Sequence, residues 1–323
     1  MKIRDVNTGD LLLGYYALTK CDLVPFTGGV RLQLEMSDST GRIAGIMWGE
    51  EAEQTYPSLK DATVVKVKGL VSSYRGTMQV QVEKVRPAKT DEYDPSELLA
   101  ASEFSLEELE AGIEEMVNLI TDEELHTLVV EVLYDEDVKR HYFQSPAGTK
   151  WHHGYLRGLA EHSLSMARLA AKVCEHYDYL DRSLLISGAL LHDVGKISEL
   201  EVGATFEYSV DGRLFGHMVI GFEIVKSAAD RLGLQGDVNV KRLLHMILSH
   251  QGKKEYSAPV EPEFEEAFAL YFIDELDSKL NAISRIRSKP ENQGRPFSDW
   301  VQLLGGFLYL ERKEPSSDNP ESD

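Results

Sequence analysis

The spacing of apolar residues changes once along this chain, near residue 90, and that change commits it to two unlike parts. Before it the period is two. Val30, Leu32, Leu34 and Met36 alternate with Arg31, Gln33 and Glu35, and Met78, Val80 and Val82 alternate with Gln79, Gln81 and Glu83. Such alternation marks strands with one buried face. Ser37–Gly41 reads as a turn, Arg42–Trp48 as a strand, about Glu50–Tyr56 as a short helix and Ala62–Val71 as another strand. Ser72–Gly76 then turns into the last strand. Five short strands with one helix between the third and fourth is the plan of an OB-fold barrel.

Pro87–Phe104 is polar and holds two prolines, which marks a domain boundary. Beyond it nearly every pattern is helical. Ser105–Glu108 and Thr121–Glu124 have the capping-box form and start two acidic helices. Longer helical patterns cover roughly Gly158–His176, Arg182–His192, His217–Leu232, Lys241–Ser249 and Glu263–Ile283. The expected organisation is an all-β barrel over residues 1–88, a linker over 89–104, an all-α bundle over 105–312 and a disordered acidic tail over 313–323.

Composition removes several classes. No run approaches the ~20 apolar residues of a membrane span, and the opening MKIRDVNTGD has no apolar signal-peptide core. Two cysteines, Cys21 and Cys174, stand far apart, which excludes a disulfide scaffold and fits a reducing cytoplasm. The net charge of −20 looks hostile to nucleic acid, yet it divides as +2 over residues 1–90, −14 over 91–150 and −8 over the remainder. The barrel is therefore not repelled from a phosphate backbone by its own charge.

Ten histidines make that residue type the informative one. His162 lies within a helical pattern, His192-Asp193 follows the apolar run LLISGALL, His217 opens a helix, His250 closes one, and Asp274 sits in an apolar helix. Each separate segment supplies a ligand type that suits Mn, Fe, Co or Zn, and a carboxylate can bridge two ions. Taken singly, His162 and His217 also fit ordinary packed histidines, and Asp274 a salt-bridge partner. The His192-Asp193 pair fits no such plain role, because burying it without a partner or metal is costly.

The order His162, His192-Asp193, Asp274 resembles the HD-domain metal-dependent phosphohydrolases, and the inserted His217 and His250 resemble their two-metal branch. With the OB-like beginning and the segments WHHGYLRGLAEHS, GALLHDVGK and LSHQGKKEY, the chain resembles the bacterial YhaM-type 3′–5′ exoribonucleases over nearly its whole length. That resemblance implies a first ion on His162, His192, Asp193 and Asp274. Asp193 would bridge to a second ion on His217 and His250, the pair activating water for attack on phosphorus. Mn stands foremost among the candidate metals. Asp193 and Lys196 are the catalytic candidates, Lys196 as a phosphate contact, although a lysine at a helix end is also commonly just solvated. His153 and Arg157 are expected to line the site, with His152 less firmly placed. Asp277, one turn after Asp274, reads as a supporting or salt-bridging group. Gln251 departs from the family, whose members tend to carry a second histidine there.

In the barrel, aromatic stacking and basic residues would bind a single strand. The candidates are Arg31, Lys66, Lys68, Tyr74 and Arg75, with Arg42, Tyr15, Tyr16 and Phe26 around them. Trp48 is a further candidate, although a tryptophan at a strand end is more often core than stacking platform. The implied activity is hydrolysis of single-stranded RNA, with single-stranded DNA a second candidate, to nucleoside monophosphates. A homo-oligomer is compatible with the sequence and a membrane partner is not. Two other functions fit the residues alone: a nucleotide or cyclic-dinucleotide hydrolase with a regulatory barrel, and a non-catalytic single-strand-binding protein. The absence of a GYP motif after the HD pair weakens the cyclic-dinucleotide version.

Overall fold

The structure, a computed structural model, describes residues 1–311 apart from 75–76, 90, 95–96, 150–151, 204, 257 and 290–291. Arg75 and the expected tail thus lie outside the described residues. The first part is a closed barrel of β1 (Leu11–Phe26), β2 (Gly29–Asp38), β3 (Gly41–Trp48), β4 (Val64–Tyr74) and β5 (Thr77–Pro87), in the order β1-β2-β3-β5-β4. Within the barrel β3 and β5 pair in parallel, and the other described pairings are antiparallel. Helix α1 (Glu50–Leu59) separates β3 from β4, as the OB plan requires. Leu12, Tyr16, Leu32, Leu34, Met36, Val65, Val67 and Val80 fill the barrel. Because they alternate along their strands, a slip of one residue would expose all of them, and the register is fixed by that cost.

The second part packs α2 (Leu106–Val117), α3 (Glu123–Leu133), α4 (Glu136–Tyr142), α5 (Gly158–His176), α6 (Arg182–Leu191), α7 (Lys196–Glu199), α8 (Val210–Leu232), α9 (Val238–Ser249) and α10 (Glu265–Ser288). Ser105 caps α2 with the reciprocal Glu108 bond, as its sequence predicts. At α3 the expectation shifts by one residue. Asp122 is the cap, while Thr121 turns to the Ser183 hydroxyl. Every residue of α6 after Arg182 is buried. A helix that is apolar all round belongs in the centre of a bundle, so α6 delivers whatever follows it into the core. Among the described residues no helix is long and apolar enough to cross a membrane.

Two features depart from the helical expectation. Short antiparallel hairpins, β6 (Leu200–Val202) with β7 (Phe206–Tyr208) and β8 (Phe297–Val301) with β9 (Gly306–Tyr309), interrupt the bundle. Three- to five-residue strands are too short for a clear period-2 signal. The linker, moreover, is anchored at both ends. Leu98 packs on Ala17 and Val64 of the barrel. Ala101 then forms a parallel bridge with Leu156, and Arg157 Nη2 donates to the Ser102 carbonyl at 3.1 Å.

Candidate metal centre

Asp193 stands just beyond the C-terminal end of α6, 2% exposed, and imidazoles face it on two sides. Its Oδ2 lies 3.3 Å from His192 Nε2 and 3.8 Å from His162 Nε2. Its Oδ1 lies 3.4 Å from His217 Nε2 and 3.5 Å from His250 Nε2. Asp274 Oδ1 approaches His162 Nε2 at 3.3 Å from α10. The donor atoms fall into overlapping groups: His162, His192 and Asp193; Asp193, His217 and His250; and His192, His250 and Asp274. All six residues expected from the sequence therefore converge, with Asp193 shared between two sets.

The backbone achieves this convergence by one close approach and one break. Gly195 lies so near α8 that a Cβ there would sit 2.0 Å from the His217 carbonyl oxygen. Gly216, at φ 72°, breaks α8 immediately before His217. The expected helix start at His217 is thus the second half of a helix that begins one turn and more earlier. Glu199 Oε1 accepts from the freed His217 amide at 3.0 Å, serving the restarted helix as a cap would.

Every histidine of the cluster is held at Nδ1. His162 bonds Asp277 Oδ2 at 2.8 Å, His217 bonds Glu199 Oε1 at 3.1 Å, His192 bonds the Ala189 carbonyl at 3.0 Å and His250 bonds the Ile247 carbonyl at 2.9 Å. Acceptors at Nδ1 require the proton there, which leaves the Nε2 lone pair aimed inward. Each side of Asp193 receives one carboxylate-backed and one carbonyl-backed ring. Glu199 was not found by sequence reasoning. Its signal was its place one helical turn after Lys196, on the same short helix.

The fit to a metal is tested by atoms with nothing to bond. His162 Nε2, His192 Nε2 and Asp193 Oδ1 are buried without a hydrogen-bond partner. Buried polar atoms are nearly always satisfied; here two unsatisfied ring nitrogens face one side of Asp193 and its unsatisfied Oδ1 faces the other, donor types that suit divalent cations. Electrostatics agrees. Burial raises the Asp193 carboxyl, but Lys196 and the surrounding imidazoles outweigh it and hold it well below the usual carboxylate range. Burial likewise opposes charge on His162, yet Asp274 and Asp277 push it up to about 9, so the cluster draws positive charge to the inward-facing Nε2, where a cation would take the proton's place.

The remaining expectations fare unevenly. Lys196 is not a solvated lysine: it is buried, and its Nζ sits 2.5 Å from Asp193 Oδ2, where the pairing keeps it charged. His153 is buried too, its ring 5.0 Å from that of His162. Burial above all pushes it down to about 2, so it is a neutral group behind the cluster. His152 joins it, its ring 5.6 Å from His162. Arg157 ties the linker at Ser102.

On the barrel, Tyr16 is core, with its hydroxyl on the Met1 carbonyl, because β1 turns that side chain inward. Trp48, unlike Tyr16, lies outside the core. It is 50% exposed, edge-on to Phe26 at 5.1 Å and under the Arg31 guanidinium at 5.7 Å. Tyr74 is exposed, Lys68 pairs with Glu83 at 2.7 Å, Arg42 with Glu35 at 3.0 Å, and Lys66 lies over Tyr15.

Comparison with known proteins follows the same division. The HD domain model matches residues 159–279, which include all six cluster residues, and the OB-fold nucleic acid binding domain model matches residues 22–88. The 3′–5′ exoribonuclease YhaM of Geobacillus sp. (strain WCH70) is 34% identical over 259 residues, covering 80% of this chain and 79% of its own. That of Shouchella clausii is 32% identical over 307 residues, covering 94% and 93%. That of Bacillus subtilis is 36% identical over 268 residues, covering 80% and 82%. At 32–36% identity over 79–93% of those relatives' own length, the chain belongs to the YhaM family of 3′–5′ exoribonucleases.

Proposed function

We propose that this protein is a metal-dependent 3′–5′ exoribonuclease that shortens single-stranded RNA to nucleoside monophosphates, with single-stranded DNA a secondary substrate. The observation that carries this is the convergence of His162, His192, Asp193, His217, His250 and Asp274 in overlapping donor groups, with Asp193 shared, in an HD domain joined to an OB barrel. His162, His192, Asp193 and Asp274 would hold one ion, and Asp193, His217 and His250 a second, Mn before Fe, Co or Zn. Bound there, divalent ions supply Lewis acidity and an activated water for in-line displacement at phosphorus.

The chain's own part is preorganisation. The four Nδ1 anchors fix the imidazoles in angle, with Nε2 toward the centre. Asp193 presents one oxygen to each side. Lys196, within reach of Asp193 Oδ2, is the group positioned to meet an added phosphate charge. His152 and His153, driven neutral by burial down to about 3 and about 2, bring no competing positive charge. Domain roles follow the expected boundaries: residues 1–88 bind the strand and 105–312 cleave it. Arg31, Phe26 and Trp48 support base stacking, and exposed Phe268, Phe272, Leu276 and Leu280, one turn apart on α10, support a homo-oligomer. Free Cys21 and Cys174 are consistent with a cytoplasmic protein.

Purified protein with Mn²⁺ and 5′-labelled single-stranded RNA should give a ladder shortening from the 3′ end. Turnover of small nucleotides alone would favour the regulatory-barrel hydrolase. Binding without cleavage would leave only the non-catalytic reading.

A further inference from the structure

A hollow of about 600 Å³ lies between α1 and the β4–β5 ribbon of the barrel. Its floor is apolar, with Met47 and Val67 fully or nearly buried. Its long wall is basic. The strand register sets Lys66 directly opposite Arg86 and Lys68 directly opposite Lys84. Like charges facing each other across a ladder destabilise a sheet, so two such pairs in succession do nothing for the barrel itself.

Neighbouring acids answer half of this charge. Glu92 takes both Arg86 terminal nitrogens at 2.8 Å, and Glu83, displaced by the bulge beside Lys68, pairs with Lys68 at 2.7 Å. Glu51 adds one negative group on the α1 rim. Lys66 and Lys84 have no salt bridge among the described residues. Lys66 Nζ rests 4.9 Å above the Tyr15 ring, and Lys84 is exposed. Two cations with no carboxylate in salt-bridge contact among the described residues, Lys66 sharing the field of Glu92 with Arg86, thus line an apolar-floored trough. The exposed Trp48 follows Met47 in the chain, at the end of β3.

We propose that the α1–β4–β5 groove carries the phosphate backbone of the single strand, with Lys66 and Lys84 as phosphate contacts while bases stack on Trp48 and Phe26. This rests on the exoribonuclease reading and names the path of its substrate. Stacking at the aromatic pair is tolerant of sequence, and phosphate contacts hold the strand's direction.

The test measures binding of a labelled 20-nucleotide RNA by the full chain carrying Asp193→Asn, so that the strand is not consumed, at 50 and 200 mM KCl. Lys66→Ala/Lys84→Ala should lower the slope of log affinity against log salt by about 1.4, at roughly 0.7 per phosphate contact on a single strand. Between the two salt concentrations its affinity should then fall about sevenfold less than the parent's. Lys20→Ala/Lys60→Ala makes the same charge change elsewhere on the barrel and should leave the slope unchanged. An unchanged slope in the groove variant, or equal flattening in both, overturns the groove. So does tight binding of free tripolyphosphate by the parent that is lost in the groove variant while its RNA slope stays put.

Lys84→Glu supplies a second, independent reading. It puts a carboxylate opposite Lys68, so the barrel's Tm should rise while RNA affinity falls; a fall in both overturns the like-charge argument. The unsubstituted protein, assayed with Mn²⁺ on the same RNA, separates the two levels. Cleavage with an unchanged groove slope breaks only the groove, and groove-dependent binding without cleavage breaks only the assignment of activity.

Discussion

Each half of this protein buries an aspartate, and the two carboxylates are treated in opposite ways. Asp38 in the barrel is saturated. Its Oδ1 accepts from the Thr40 amide at 2.7 Å, the Thr40 hydroxyl at 2.6 Å and the Gly41 amide at 3.1 Å, and its Oδ2 accepts from the Ile3 amide at 2.7 Å. Asp193 in the bundle has a lysine on one oxygen and no donor on the other, which faces two ring nitrogens oriented as acceptors. Burial alone does not distinguish a working carboxylate from one that closes a turn. The unsatisfied oxygen does, because an unmet buried acceptor is a standing cost that only a ligand removes.

The contrast is most severely tested at Asp193 itself. Asp193→Ala should abolish RNA hydrolysis, by about 10⁴-fold or more, the scale of losing one member of a catalytic unit. Elemental analysis should show both ions weakened together. Normal metal content with near-normal turnover would erase the distinction between the two aspartates.

The next effect lies behind the ligands. Asp277→Asn and Glu199→Gln should each lower metal affinity about 10- to 100-fold by releasing His162 or His217 from its anchor. Equilibrium dialysis with Mn²⁺ should show one weakened ion in each variant, on different sides of Asp193. Loss of both ions together from either variant would mean that the two sides are not separately supported.

On the barrel the effects shrink. Trp48→Ala should raise KM for RNA about tenfold, within the range for loss of one base-stacking platform. Thermal stability should hardly change, since half the side chain is already in water. A large drop in Tm would return Trp48 to the core role its position suggested.

The smallest effect concerns Tyr16. Burial first, with Asp38 nearby adding, pushes its phenol up from 10.0 to about 12. An acid whose folded pKa is raised contributes stability fully present below its unfolded pKa and lost as pH rises through the folded one. Barrel stability should therefore decline between pH 10 and about 12. Tyr16→Phe should flatten that limb and cost about 1 kcal/mol at neutral pH for the lost bond to Met1. An alkaline limb equally steep in Tyr16→Phe would assign it to other groups.

Much of this was legible in the residues. Alternation identified the barrel strands because one face of each is buried, and the apolar run Leu184–Leu191 marked a central helix whose end must place His192 and Asp193 inside. From the residues alone only His192-Asp193 stood out, because burying that pair without a partner is costly; the set of six came from the resemblance to HD-domain phosphohydrolases. What escaped depended on the partner across space. Glu199 looks like any charged residue of a short helix until the break at Gly216 brings the His217 amide to it. Trp48 and Tyr16 were both stacking candidates, and aromatic type could not separate them because it does not reveal which way a strand faces, and the pleat decides that. For Lys196, read as a phosphate contact with a solvated lysine as the alternative, burial removes the alternative.

Gly195 has a meaning best put in terms of manufacturing tolerance. The separation between the two sides of the cluster depends on how closely the chain at Gly195 can lie against α8, and one hydrogen atom sets that clearance. The smallest side chain would already overlap the His217 carbonyl, with a Cβ to oxygen distance of 2.0 Å. Compensation elsewhere is difficult, because the obstacle is backbone on the opposing element rather than a side chain that can swing aside. The protein thus gauges its reaction centre by an atom it leaves out.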